Sequence, residues 1–330
     1  MRLKPRSIEY YEQRIVALEK IWPGLGEHFG FHMKYTMPTP TADGTNVWVV
    51  YGIGLVASYE PGGKRRWLRM LAKPSSSTGL AASPLLAGGR LLINLGGDLH
   101  GLDSATGKTV WKVKQKERYG SPVRATIAAI EYAVLTGGDV IRASDGMKAA
   151  TNAALNIYQS AVVAGDVVYS MRDDAFFTQD NGSPGMMAVR LKPGADGNLT
   201  TEKSWETKEK NGYSSPLFAD GVLYNSRNKS GLTAIDATTG AVLYDQKFSD
   251  IGNKDSFGAE NFPCLARAGK YLIVPFQAGR ISVVELGCEY KEVAVNRICE
   301  QHDQVVAAPF FHGNRLYLRT HKFLFCIGGK

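Results

Sequence analysis

The chain has 330 residues, a formal charge of +8, 44% hydrophobic residues and 36 glycines. Its pI of about 9.2 invites a nucleic-acid reading, since phosphate contacts rely on Lys and Arg. The basic residues are spread along the chain, however, and the one cluster, Lys64-Arg65-Arg66-Trp67, reads as charge guarding a strand edge, so nucleic acid is not the expected partner. No apolar stretch reaches the roughly 18 residues that a membrane-spanning helix needs.

Residues 1–36 are read as an N-terminal helix and closing segment, and residues 37–330 as one repeat domain. Ile8, Tyr11, Ile15 and Leu18 recur three to four apart, which predicts a short helix over Ser7 to Leu18. The opening segment carries Arg2, Lys4, Arg6, Glu9 and Glu12, so it lacks the apolar core of a signal peptide. His28 and His32 are four apart, but flanking glycines argue against the helix that would aim both at a metal.

From Pro38 onward one pattern recurs seven times. A small residue and proline open each copy, an apolar run follows, then a Gly-rich or polar turn, a second run ending in a polar residue, and often Gly-Lys-x-x-Trp. The clearest copy runs Ser83-Pro84-Leu85 to Asn94, then Leu99 to Asp103, then Thr106-Gly107-Lys108 to Trp111. A period of about forty residues made of short strands predicts a β-propeller. The expected fold is all-β: seven blades of four antiparallel strands, with an eighth blade upstream as the alternative. The third copy, from Ser121-Pro122, is eroded and has lost its tryptophan. The fourth carries an excursion from Asp173 to Gly185. The seventh ends one strand short after Phe323 to Ile327, so an N-terminal strand is expected to close it. The candidates are Lys20-Ile21-Trp22 and Phe29 to Tyr35.

Trp67, Trp111 and Trp205 are placed on outer strands, wedged between blades, each contributing roughly 2–3 kcal/mol through buried area. Gly52-Ile53-Gly54 and Gly96-Gly97 read as turns, because no helix follows to form a phosphate site. His302-Asp303 falls in a loop with no nucleophile beside it. The cysteines Cys264, Cys288, Cys299 and Cys326 form no Cys-x-x-Cys knuckle, which argues against zinc. Cys288 and Cys299 either bridge a hairpin in an exported protein or remain free thiols.

At Asp103-x-x-Thr106-Gly107-Lys108-x-x-Trp111, echoed from Asp236 to Tyr244, the chain resembles the pyrroloquinoline-quinone-like (BamB-like) β-propeller repeat family. That family includes enzymes and scaffolds. Its quinoprotein dehydrogenases hold the cofactor and a calcium ion on the axis, and the alcohol-oxidising branch adds a disulfide between adjacent cysteines. This chain has no adjacent cysteines and no clear acidic set for the six to eight oxygens calcium takes. No cofactor or metal is therefore expected, nor any catalytic residue. The resemblance implies export to the periplasm or cell surface, with a cytoplasmic protein as the alternative because the opening segment does not read as a signal peptide.

Propellers bind mainly through the loops joining second to third strands and one blade to the next. Those loops supply the candidate binding residues Arg118, Tyr119, Asp173, Asp174, Phe176, Phe177, Tyr213 and Arg227. The expectation is a non-catalytic binding or scaffold propeller for a protein or peptide. The alternative is a carbohydrate-active or quinone-dependent enzyme using the axial funnel.

Overall fold

The computed structural model describes residues 38–74, 82–154, 158–172, 185–208, 214–227, 231–248, 263–298, 303–305 and 307–328. They form a seven-bladed β-propeller of antiparallel sheets. Six blades, at residues 41–70, 85–114, 123–150, 162–206, 217–247 and 266–297, have four strands in the order 1-2-3-4. The seventh, at residues 310–327, has three strands among the described residues. The expected helix, both closing segments and the His28/His32 pair lie outside the described residues.

The alternating pattern of each copy is the pattern of a meander. The first strands are short and lie side by side from blade to blade, so they are the inner ones. The outer strands alternate, as in Thr109–Lys114, where Trp111 and Val113 turn inward between exposed neighbours. The third copy still makes four strands despite its erosion, but its last two, Val140–Arg142 and Lys148–Ala150, are only three residues long. The strand after the excursion begins at Gly185 and runs to Pro193.

The core lies between blades rather than within them. Trp48, Val56 and Trp67 of blade 1 meet Leu91, Ile93 and Leu102 of blade 2. Clusters of the same kind join blades 2 and 3, 3 and 4, 4 and 5, 5 and 6, and 6 and 7. Among the described residues no such cluster joins blade 7 to blade 1.

Two contacts set the spacing of the blades. At the end with the third-to-fourth-strand turns, each of the outer-strand tryptophans Trp67, Trp111 and Trp205 covers a glycine of the next blade. A Cβ on Gly107 would fall 2.7 Å from the Trp67 ring, one on Gly146 2.7 Å from Trp111, and one on Gly240 2.8 Å from Trp205. The indole N–H of Trp67 donates to the Ser104 carbonyl at 3.1 Å, and that of Trp205 to Ala237 at 2.9 Å. In the same turns Asp103 accepts the amide and hydroxyl of Thr106, and Asp236 those of Thr239. The Thr hydroxyl and amide bonds hold both carboxyls below the usual range. The Asp-x-x-Thr-Gly motif is thus a turn and a seat for an indole.

The second contact lies at the opposite end, where a small residue, before proline at Thr39, Ser83, Ser121 and Ser215, enters the inner strand. The amide of Thr39 donates to Ser83 Oγ at 2.9 Å, Ser83 to Ser121 at 2.8 Å, Ser121 to Ser160 at 2.9 Å, and Ser160 to Ser215 at 2.9 Å. Ser215 in turn bonds the Cys264 thiol, whose ionisation burial pushes up. From blade 1 to blade 6, each blade hands one hydrogen bond to the next.

Candidate functional site

The relay end of the propeller is also the end that carries the second-to-third turns and the linkers between blades. In a four-stranded meander the second-to-third turns and the blade-to-blade linkers emerge together, opposite the hairpins of the first two strands. The best-described part of this face is the linker from blade 2 to blade 3, residues 115–121.

That linker is tied down at each step. The Gln115 amide donates to the Gly97 carbonyl at 3.0 Å, and its side chain to Asp139 at 2.5 Å. Asn94 donates to the Lys116 carbonyl at 3.2 Å, and the Gly96 amide to Glu117 Oε1 at 2.8 Å. Gly96-Gly97 is a turn, as the sequence implied, and it serves this linker. Gly120 has no room for a side chain, because a Cβ would stand 2.3 Å from the Gln159 carbonyl oxygen. These bonds hold the linker backbone in one conformation.

Arg118 and Tyr119 project from this frame, both half-buried. The Arg118 side chain lies against Gly137 in the second-to-third turn of blade 3, where a Cβ would meet Nε at 3.1 Å. Burial lowers its affinity for its proton, as expected for a partly desolvated cation. The Tyr119 ring stacks on Tyr158 of the next linker, with centroids 5.1 Å apart and planes at 17°. The structure therefore brings Arg118, Tyr119 and Tyr158 together across two adjacent linkers.

Tyr158 was not among the sequence candidates, although a signal was present. Tyr119, Tyr158 and Tyr213 each stand two residues before a relay serine, Ser121, Ser160 and Ser215. Tyr213 lies outside the described residues, as do Asp173, Asp174, Phe176 and Phe177 of the blade 4 insertion.

Arg227 has a different setting from the loop position expected for it. It ends the second strand of blade 5, Val222–Arg227, and is buried. Its guanidinium covers Gly231 and pairs with Asp245 on the outer strand of the same blade. Arg280 repeats this in blade 6, bonding Ser282 at 2.9 Å and Glu292 at 2.8 Å. Asp139 likewise pairs with Lys148 at 2.8 Å, and Asp98 with Lys114 at 3.0 Å. Asp303 accepts the amides of Gln304 and Lys322. These charges brace the blades.

Of the cysteines, Cys264 joins the relay, Cys288 and Cys326 are exposed free thiols, and Cys299 lies outside the described residues. Blade 3 carries Ala150 where blades 1, 2 and 4 carry tryptophan and blade 5 carries Tyr244. An open notch of about 390 Å³ sits there, between Ala150, Thr151, Leu199 and Thr201. The neighbouring turn at Ala195–Gly197 reaches across instead, with the Gly197 carbonyl accepting from Tyr132 Oη at 3.0 Å and the Asp196 carbonyl from Arg142 at 2.9 Å.

No curated protein matches the sequence. Among solved structures, BamB from Moraxella catarrhalis is similar, at 15% identity and a TM-score of 0.62, over 86% of this chain and 80% of that one. Quinohemoprotein alcohol dehydrogenase from Comamonas testosteroni aligns at 12% identity and a TM-score of 0.56, over 87% of this chain and 70% of that one. The computationally designed Ika8 protein aligns at 11% and 0.54, over 85% and 79%. At these identities the likeness is one of fold, and the same fold carries an enzyme and a designed protein. A family profile described as outer membrane protein assembly factor BamB matches residues 33–246 and 161–327. With most of its length matched by that profile, the chain belongs to the family of outer membrane protein assembly factor BamB.

Proposed function

We propose that this chain is a non-catalytic binding propeller that presents its linker face to a protein or peptide partner. The observation that carries the reading is the packed Arg118, Tyr119 and Tyr158 group on a hydrogen-bonded frame. Arg and Tyr are enriched among residues that dominate interface energies, and rigid aromatic anchors lose little entropy on docking. The face's acidic groups Asp98, Asp139 and Asp245 are engaged with Lys114, Lys148 and Arg227, which supports a bracing role for them. The family's description is in keeping with an exported setting and a protein partner. The insertion carrying Asp173, Asp174, Phe176 and Phe177, together with Tyr213, is proposed as the continuation of the same surface.

The test is cross-linking and capture from native lysate with wild type, an Arg118→Glu/Tyr119→Ala variant and a Phe176→Ala/Phe177→Ala variant. Wild type should enrich a defined protein set that the first variant loses by tenfold or more at an unchanged melting temperature. Equal capture by wild type and the first variant would remove the linker face from the proposal. A loss confined to the second variant would move the contact to the insertion.

A further inference from the structure

We propose that the crevice between the outer strands of blades 1 and 2 binds an acidic, extended stretch of a protein partner. This rests on the reading above only in taking the partner to be a protein, and it uses side chains other than Arg118, Tyr119 and Tyr158.

The alternation of two strands builds the crevice. In blade 1 Trp67 faces Ser58 and Arg69 faces Val56 across the ladder, and Val56 packs in the layer against blade 2. Arg69 therefore points toward blade 2, where its guanidinium donates to the Thr106 carbonyl at 3.4 Å. In blade 2 Lys112 faces His100 and Lys114 faces Asp98, on the side where Leu102 packs against blade 1. The ladder runs one residue further, since the Gln115 amide donates to the Gly97 carbonyl, and the Gln115 side chain turns away to Asp139 of blade 3. Lys116 thus follows Lys112 and Lys114 on the blade 1 side. Lys73 of blade 1 is exposed nearby, with its carbonyl against Gly96 of the blade 2 turn.

The local acids do not cancel these cations. Asp98 lies under the row, 3.0 Å from Lys114 and 3.8 Å from Lys112, its side chain 12% exposed against 87% and 62% for the lysines. The hydrogen bond from Lys114 holds the Asp98 carboxyl below the usual range, so one ionised carboxylate is shared between two amines. Glu117 is turned to the Gly96 amide at 2.8 Å. Residues 75–81, which join the two blades in sequence, include no acidic residue. The cations Arg69, Lys73, Lys112, Lys114 and Lys116 therefore outnumber the carboxylates beside them.

The other blades do not repeat the row. At the positions of Lys112 and Lys114, blade 1 carries Leu68 and Met70, blade 3 Thr151 and Ala153, and blade 4 Glu206 and Lys208. Blade 5 carries Asp245 and Lys247 there, and blade 6 Val295 and Arg297.

Spacing sets the partner's chemistry. Alternate residues of a strand stand about 6.6–6.8 Å apart, which is also the interval between alternate side chains of any extended peptide. An acidic segment laid along the row sets successive carboxylates opposite successive amines. Nucleic acid fits less well, because a single strand uses aromatic faces for its bases. Here Trp67 is buried on Gly107, and Trp111 faces blade 3. Each exposed ion pair is weak alone, so recognition needs the whole row and falls with salt.

The test is fluorescence anisotropy of a short labelled peptide of alternating Glu and Ser, titrated with the full chain at low and high salt. Wild type should bind it, with an affinity that falls as salt rises. Lys112→Gln/Lys114→Gln/Lys116→Gln should weaken binding by about tenfold or more, and Lys192→Gln/Lys203→Gln/Lys247→Gln, with the same loss of charge, by less than about twofold. Tyr119→Ala/Tyr158→Ala should bind the peptide as wild type does, so a failure of the linker-face reading leaves this result standing. No binding by wild type at low salt, or equal losses in the two lysine variants, overturns the proposal. Tighter binding of oligothymidylate or of phosphatidylglycerol vesicles than of the peptide overturns it too, in favour of a nucleic acid or a membrane. Arg69→Gln/Lys116→Gln, which breaks no ion pair among the described residues, reports the same crevice should the triple variant fail to fold. Unchanged affinity in that variant likewise overturns the proposal.

Discussion

At Gly107 two demands meet in one residue. Its backbone is left-handed, φ +71°, and the face where a side chain would start is covered by the Trp67 ring. An alanine there meets both the left-handed penalty and an overpacked contact, together about 2–4 kcal/mol. Gly89 has a similar φ of +69° in a hairpin but open space around it. Gly89→Ala should therefore cost only the backbone part, about 1–2 kcal/mol. Urea unfolding of the two variants checks this, and equal losses would show that the indole seat contributes nothing. His100 makes a second case. It is buried, its Nε2 is 3.1 Å from the Leu95 carbonyl, and burial lowers its pKa from 6.5. A histidine that binds its proton less readily when folded gives stability that is present above about pH 6.5 and lost as the pH falls through that value toward the folded pKa. Melting curves at pH 7.5 and 5.0 should fall more steeply for wild type than for His100→Gln, and parallel falls would contradict the burial argument.

At the scale of elements, the strands were legible because each repeats the same alternation, and the tryptophan wedges because an aromatic after Gly-Lys has few other uses. The relay was visible only as a small residue before proline. Nothing local in Ser83-Pro84 says that an amide in one blade meets a hydroxyl in the next, some forty residues on. The site was half-legible for the same reason: Arg118 and Tyr119 could be named as loop residues, while the stacking of Tyr119 on Tyr158 needed two linkers brought together. Arg227 shows the reverse, since a residue at a strand end reads as a loop until its partner Asp245 is seen. The relay makes its own prediction. Ser160→Ala removes the acceptor of the Ser121 amide, and leaving that part-buried donor unpaired should cost about 1–2 kcal/mol. Cys264→Ser keeps an acceptor for Ser215 and should cost less. Denaturant midpoints of the two variants distinguish a relay that stabilises from one that merely accompanies close packing.

At the scale of the whole molecule, stability is a sum over neighbouring blades, and the sum is uneven. The layer between blades 4 and 5 buries Val167, Tyr169, Met171, Met186, Ala188, Leu223, Ile235 and Ala237. Among the described residues, the layer between blades 6 and 7 buries Ile273, Ile281, Val305 and Leu318. Blade 7 also keeps Phe310 and Phe311 exposed on its inner strand. In an array stabilised by nearest neighbours, the unit with the thinnest interface opens first, with a free energy well below that of global unfolding. Native-state hydrogen exchange read by mass spectrometry should find peptides covering residues 310–327 losing protection first, and those of blades 2 to 5 last. Leu318→Ala and Leu223→Ala each remove a fully enclosed leucine and carry an intrinsic cost of about 2–5 kcal/mol. Leu318→Ala should speed exchange chiefly in blade 7, because the remaining layers do not depend on it. Leu223→Ala should lower protection across blades 4 and 5 together and shift the global midpoint. If Leu318→Ala instead lowers protection equally in every blade, the ring unfolds as a single cooperative unit and its closure dominates its individual layers.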